Sequence, residues 1–353
     1  MSSLHTTAVT PMAQDELLSR LAAYRDRVVP LIHKAIPDRE PKQHLYDLVS
    51  AQLSREGKGI RPALCLATCH AFGGDAARAL PSAAAIELLH NAFLVHDDIE
   101  DESQYRRDQP TLNRQYGVPL AVNVGDAMNA MSVRLLRKNL ELLGPELTSR
   151  VFDEMDHMSL QTIEGQAMEL GWIRENNCRT TEEDYLLMVL KKTSWYSFIH
   201  PARIGALIAQ PGAIDLDSFN RFGSFLGTAF QIQDDVLNLT GNQGKYGKEI
   251  GGDLYEGKRT LILAHLFKSA NEREREKLEA FFAKTRTERT PQDVAWIYEV
   301  LGAHGSIEYA RSAARQFAEG ARREFESAYT GASDVETVRF LRSLIDYMVS
   351  REM

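Results

Sequence analysis

Cysteine is scarce, with only Cys65, Cys69 and Cys178 in 353 residues. So small and odd a number does not build a disulfide framework. Cys65 and Cys69 are one helical turn apart, but no second pair with zinc spacing accompanies them, so they read as small buried hydrophobes. Long apolar runs are missing as well. None reaches the ~18 residues that a membrane-spanning helix needs. Residues 1–13 are rich in Ser and Thr and hold no basic stretch followed by an apolar one, so no secretory leader is expected. They read as a disordered tail. Asp15, Glu16 and the scarcity of Arg there argue against an organelle transit peptide, which leaves a cytoplasmic, reducing location as the expectation. Basic charge is not in surplus. The formal net charge is −8, which argues against nucleic acid as a partner. Aromatics make up only 8% of the chain.

Hydrophobic residues reach 44%, and Ala and Leu are abundant. That mix favours helices packed closely on helices. Leu17, Leu21, Tyr24, Val28 and Leu31 keep helical spacing, and so do Ala310, Ala314, Phe317, Ala321 and Phe325. Helices are expected over roughly 16–35, 44–55, 62–72, 122–143 and 151–171. Others follow from Thr180-Thr181, which looks like an N-cap, and over 335–348. Pro81 is expected to start a helix running to Asp101, and Pro201 to kink another. No strand alternation and no Pro/Gly/Ser linker appear, so residues 14–353 read as one all-α domain.

Two acidic blocks end apolar helical runs. The first is His96-Asp97-Asp98-Ile99-Glu100-Asp101. Asp97 and Asp101 are four residues apart and share a helix face. The second is Gln231-Ile232-Gln233-Asp234-Asp235-Val236-Leu237-Asn238. Either block alone could be a solvated helix end. Together they can face each other across a pocket. Mg²⁺ takes hard oxygens and is commonly held by one or two carboxylates plus substrate phosphates.

With these blocks in hand, the chain resembles the trans-isoprenyl diphosphate synthases, the polyprenyl synthase family. An Asp-Asp-x-x-Asp motif at Asp97, Asp98 and Asp101 precedes Arg106-Arg107. A second, at Asp234-Asp235, follows Gln231, with Asn238 where an Asp is commonest. Gly57-Lys58-Gly59-Ile60-Arg61-Pro62, Lys192-Thr193 and Gly252 to Lys258 match further motifs. The similarity runs from about Gly57 to about Leu263. It implies an all-α bundle around a central cavity and a homodimer. It implies Mg²⁺ ions held by Asp97, Asp98, Asp101, Asp234 and Asp235. Lys58, Arg61, His90 and Arg107 would bind isopentenyl diphosphate. Arg106, Lys192, Thr193, Gln231, Lys248 and Lys258 would serve the allylic diphosphate, with Asp253 near the second metal site. Glu169 stands where the family has Asp, and Glu56 replaces a common glycine.

The reaction implied is head-to-tail condensation of isopentenyl diphosphate with an allylic diphosphate. It needs no protein nucleophile, and no Ser/His/Asp or Cys/His set is visible. Chain length becomes a packing question. Ala92 and Phe93 lie one turn upstream of Asp97, ~6–7.5 Å along the axis, where Phe93 would floor a tunnel and Ala92 would not. The wording around both blocks is similar to geranylgeranyl diphosphate synthases, so C20 is the expected product and C15 or a longer chain the alternative. A class I terpene cyclase or a non-catalytic subunit are competing readings. The paired aspartates of both blocks argue against them.

Overall fold

The structure, a computed structural model, describes residues 11–55, 57–241 and 249–349. Within them the chain is helical, as expected. The first helices are α1 (Gln14–Ala35), α2 (Asp47–Leu53), α3 (Ile60–Ala71), α4 (Ala76–Glu100) and α5 (Leu112–Tyr116). After them come α6 (Val118–Leu136), α7 (Asn139–Leu143), α8 (Pro145–Arg174) and α9 (Glu182–Val189). A π-helical stretch, Leu190–Ile199, joins α9 to α10 (His200–Ala209), and α11 spans Ser218–Thr240. Shorter helices and the long helix Ser306–Ala328 complete the chain, with Val335–Val349 last.

One expectation about a proline is corrected. Helix α4 starts at Ala76, not at Pro81, because Asp75 caps it by accepting from the Ala77 N–H at 2.8 Å. Such a cap satisfies a donor that the first turn leaves orphaned. Pro81 sits inside the helix. Pro201 stands in the first turn of α10, directly after the π-helical stretch. The π-helical stretch directly upstream widens the turns, which gives the proline ring the room it lacks in a regular helix.

Of the residues expected in a tail over 1–13, only 11–13 lie within the described ones. Met12 is buried, and its N–H donates to Ser343 Oγ at 2.8 Å.

Helix α4 is apolar nearly all round and is buried accordingly, with Ala79, Ala83, Ala84, Leu88, Leu89 and Ala92 in the core it shares with α6 and α8. A helix without a polar stripe must be covered on all sides. Helix α11 crosses between two other cores. Phe219, Phe222 and Leu226 enter one, and Ile232, Val236 and Leu239 enter the next. It packs along Ser306–Ala328 and along the π-helical stretch. Two glycines set that stretch against its neighbours. A Cβ on Gly165 of α8 would fall 2.3 Å from the Lys192 backbone N, and one on Gly227 of α11 would fall 2.3 Å from Ser194 Oγ. Both approaches exist only because neither residue has a side chain. Lys192 and Thr193 are thereby held between α8 and α11.

The loop after α4 contains a two-residue antiparallel ladder. Tyr105 pairs with Pro110 and Arg106 with Gln109. Between them Arg107 and Asp108 have φ of 52° and 60°. Positive φ at both central residues is the mark of a type I′ hairpin turn. It is unusual for an Arg, and such strain gathers at functional sites.

Candidate active site

The two acidic blocks open on one cleft, joined by lysines. On α4, Arg106 reaches back from the hairpin to Asp98 at 2.6 Å and Asp97 at 3.1 Å. It is buried on these carboxylates. Asp101 pairs with Lys258 at 2.7 Å. Burial pushes the Asp101 carboxyl up to about 7 against the pull of that lysine. Its Oδ1 makes no hydrogen bond among the described residues.

On α11, Asp235 accepts from the Tyr185 hydroxyl at 2.7 Å and from Gln231 Nε2 at 2.9 Å. Burial raises this carboxyl too, to about 7, against both hydrogen bonds. Gln231 in turn accepts from Thr193 Oγ1 at 2.9 Å. A cavity is lined by Asp234, Asp235, Glu169, Lys192, Asp253 and Lys258, with Tyr185 and Gln231 beside them.

Lys192 is in this cavity, hydrogen-bonded to Glu169 and 3.4 Å from Asp97 Oδ1. Lys258 is in it too, with Asp101 on one side and Glu256 at 2.9 Å on the other. Each lysine thus touches the first block while lining the pocket of the second. Burial disfavours both charges, yet the surrounding carboxylates win and hold both ammonium groups firmly protonated. Glu169, which stands where the resemblance has an Asp, is buried. Asn238 turns its side chain to the next segment, where Oδ1 accepts from the Asp253 N–H at 3.1 Å.

A cationic region adjoins the cleft. Gly59, at φ 65°, turns the chain into α3 and sets Arg61 in its first turn. Arg61 Nη1 lies 3.1 Å from His90 Nε2, and Nη2 donates to Ser197 Oγ at 2.7 Å. Burial and then repulsion from Arg61 and Arg107 push the His90 pKa well below its usual value. The imidazole is therefore neutral at pH 7. A guanidinium can only donate, so Nε2 accepts and Nδ1 carries the proton. That Nδ1 has no hydrogen-bond partner among the described residues. Arg107 packs on Gly57 and donates to the Arg55 carbonyl. Lys58 Nζ stands over the Tyr347 ring at 5.3 Å. Lys248 lies outside the described residues.

Tyr196 links this region to the chain-length candidates. Its ring carries the Arg61 guanidinium at 4.3 Å, and its centroid is 5.8 Å from His90 and 5.9 Å from Phe93. Ala92 is buried in the core. Trp195 faces the other way, against His157 and His200. The bulk of Trp195 and Tyr196 is thus divided between the cleft and the far side of its helix. His96 stands beside Asp126, its Nε2 3.6 Å from Oδ1.

The donor set suits a hard divalent cation. It consists of carboxylates, with an unbonded oxygen on Asp101. It is not a closed cage. Among the described residues no three His, Cys, Asp or Glu side chains are grouped as a metal site. Arg106, Lys192 and Lys258 stand against the carboxylates instead. An open, oxygen-only arrangement is what Mg²⁺ tolerates when phosphates complete its shell.

The sequence profile of the polyprenyl synthetase family matches residues 42–301. The chain belongs to this family. It is 32% identical over 323 residues to the geranylgeranyl pyrophosphate synthase of Geoglobus acetivorans, covering 91% of this chain and 95% of that one. The crystal structure of a geranylgeranyl pyrophosphate synthetase from Pyrococcus horikoshii Ot3 superposes with a TM-score of 0.84 at 32% identity, covering 96% of this chain and 99% of the other. A polyprenyl synthase from Caulobacter crescentus CB15, complexed with calcium and isoprenyl diphosphate, superposes at 0.83 with 26% identity over 98% and 99% of the two chains. The protein is therefore a prenyltransferase, an isoprenyl diphosphate synthase with the helical fold of its relatives. Tyr185, Tyr196 and Glu256 are the members of the cleft that sequence reasoning missed. Tyr185 and Tyr196 meet their partners across the fold, so no local pattern could have marked them, while Glu256 meets Lys258 two residues on and Ser103 across the fold.

Proposed function

We propose that this synthase condenses isopentenyl diphosphate with an allylic diphosphate and releases geranylgeranyl diphosphate, C20, using Mg²⁺. Asp97, Asp98, Asp101, Asp234 and Asp235 would hold the metal, which when bound neutralises the leaving diphosphate. The observation that carries the reading is the placement of Lys192 and Lys258 between both acidic blocks.

The rest of the site has these roles. Lys192 and Lys258 stabilise charge on the departing diphosphate as the allylic C–O bond breaks. Lys58, Arg61 and Arg107 hold isopentenyl diphosphate, whose double bond attacks the allylic cation before a proton is lost. Neutral His90 offers its free Nδ1–H to the same diphosphate. Thr193 and Gln231 keep Asp235 aimed. Phe93 and Tyr196 form an apolar wall that excludes water from the cation. Phe93 limits the product.

The protein acts as a homodimer in the cytoplasm. Val122 and Val133 on α6 and Leu160 and Ile163 on α8 are exposed apolar residues that a second copy would cover. All three cysteines are free thiols, which suits a reducing compartment. No described helix is long and apolar enough to cross a membrane.

The test is product analysis with labelled isopentenyl diphosphate and each of the C5, C10 and C15 allylic primers. C20 diphosphate should be the end product from all three. A C15 end product, or a chain well beyond C20, would overturn the chain-length assignment.

A further inference from the structure

Arg55 follows the short helix α2 and is 5% exposed. A guanidinium has five N–H donors. Here Nη2 donates to the Pro110 carbonyl at 2.8 Å, while Nε and Nη1 are buried with no hydrogen bond among the described residues. No carboxylate of the described residues forms an ion pair with it. A buried cation in that state is costly unless something arrives to accept from it.

The surroundings say what could arrive. Arg55 lines a cleft of about 340 Å³ with Arg25, Gly57, Glu87, Asn91 and Arg107. Arg25 is engaged by Asp26 at 3.2 Å. Among the described residues the other lining carboxylate is Glu87, which acts on Arg107 and Arg61, while the carboxylate that acts on Arg55 is Asp98, itself paired with Arg106. Arg107 is held in a left-handed backbone conformation and donates to the Arg55 carbonyl. The Arg107 side chain is thus fixed against the backbone that carries Arg55. The charge surplus, the orphaned donors and the fixed Arg107 all ask for a compact polyanion with many acceptor oxygens. Guanidinium forks match phosphate oxygens in this way.

We propose that Arg55 is a further substrate-binding residue, which with Arg107 holds the diphosphate of the homoallylic substrate. The inference rests on the assignment of Arg61 and Arg107 to that substrate above. It adds a guanidinium that the sequence motifs do not include. It also makes Arg55 a determinant of affinity for isopentenyl diphosphate and not for the allylic primer.

The experiment measures KM for each substrate with the other saturating, in wild type, Arg55→Gln, Arg55→Lys and Arg61→Gln. Arg55→Gln should raise KM for isopentenyl diphosphate tenfold or more, with kcat within threefold and the allylic KM within twofold of wild type. Arg55→Lys should recover part of that loss. A wild-type KM in Arg55→Gln, with a raised one in Arg61→Gln, overturns the role of Arg55 alone. Wild-type values in both overturn the assignment of the pocket as well. Equal losses in both KM values and in kcat mean that Arg55 only braces the hairpin through Pro110, and the proposal fails. If Arg55→Gln does not fold, Arg55→Lys decides. A raised KM for isopentenyl diphosphate at unchanged Tm supports the proposal, and a wild-type KM overturns it.

Discussion

Lys258 Nζ lies 2.7 Å from Asp101 Oδ2, so a residue beyond α11 neutralises the last acid of the block on α4. Lys192 does the same for Asp97 from the π-helical stretch. The protein thus carries internal counterions for the carboxylates that a metal would otherwise have to compensate.

Chelation should therefore separate activity from stability. EDTA is expected to abolish turnover while leaving the Tm of the ligand-free protein within about 2 °C, since about 1 kcal/mol moves Tm by only a few degrees. A fall of ten degrees or more on chelation would mean that the fold depends on bound metal. Asp97→Ala and Asp234→Ala should each lower kcat by at least about a hundredfold with unchanged circular dichroism. Wild-type turnover in either would remove that residue from the site.

Phe93 meets Tyr196 edge to face with centroids 5.9 Å apart. Removing one ring opens space beside the other. Phe93→Ala should shift the product distribution to chains at least one isoprene unit longer. Tyr196→Ala should do so too, and should also raise KM for isopentenyl diphosphate because the ring supports Arg61. Chromatography of the dephosphorylated products reads both. Unaltered chain length in Phe93→Ala would show that the floor is elsewhere.

Glu154 supplies a pH dependence away from the cleft. Burial opposes its charge. Yet Arg203 donates to it from Nε at 2.7 Å and Nη2 at 2.8 Å, and His200 Nδ1 donates at 2.7 Å. The hydrogen bonds prevail and bring its pKa from 4.5 down to about 2. A carboxylate depressed on folding adds stability above its unfolded pKa and loses it as pH falls toward the folded one. Glu154→Gln should cost about 3 kcal/mol near pH 7, on the order of 1.4 kcal/mol per pKa unit. The gap to wild type should narrow below pH 4.5. Urea midpoints between pH 3 and 7 would show it, and a pH-independent gap would contradict the assignment.

Arg289 clamps the turn that presents Lys258. It is buried, and it donates to the carbonyls of Leu254, Tyr255 and Phe282. Burial and repulsion from Arg259 and Arg286 lower its pKa to about 10. Arg289→Met leaves three buried carbonyls short of donors, at about 1–3 kcal/mol each when fully unsatisfied. Both Tm and kcat should fall. A variant with lowered Tm and intact kcat would show that the turn keeps Lys258 in place without the clamp.

The acidic blocks were legible because each is continuous in sequence and ends an apolar helical run. Arg106, Lys192 and Lys258, which the fold brings to the acids, were legible because each lies in a short continuous motif. Local signals misled where two competed. Pro81 looked like a start, but Asp75, just after Gly73-Gly74, was the true cap. The Arg106 hairpin escaped notice because its ladder is two residues long and its turn has neither Gly nor Asn. Tyr185, Tyr196 and Arg55 escaped because their importance lies in partners that only folding brings near. Asn238, a departure from the usual motif, acquires its meaning the same way, from a backbone N–H fifteen residues on.

The widened turns of Leu190–Ile199 make the length of that segment as consequential as its composition. Deleting one residue there would preserve nearly every side chain and still rotate Lys192 and Thr193 against Tyr196 and Ser197. One end of the segment faces the acids and the other faces Arg61 and His90. The acidic cleft and the Arg61–His90 region are therefore phased by a single stretch of backbone, so an insertion or deletion in it would set them out of step.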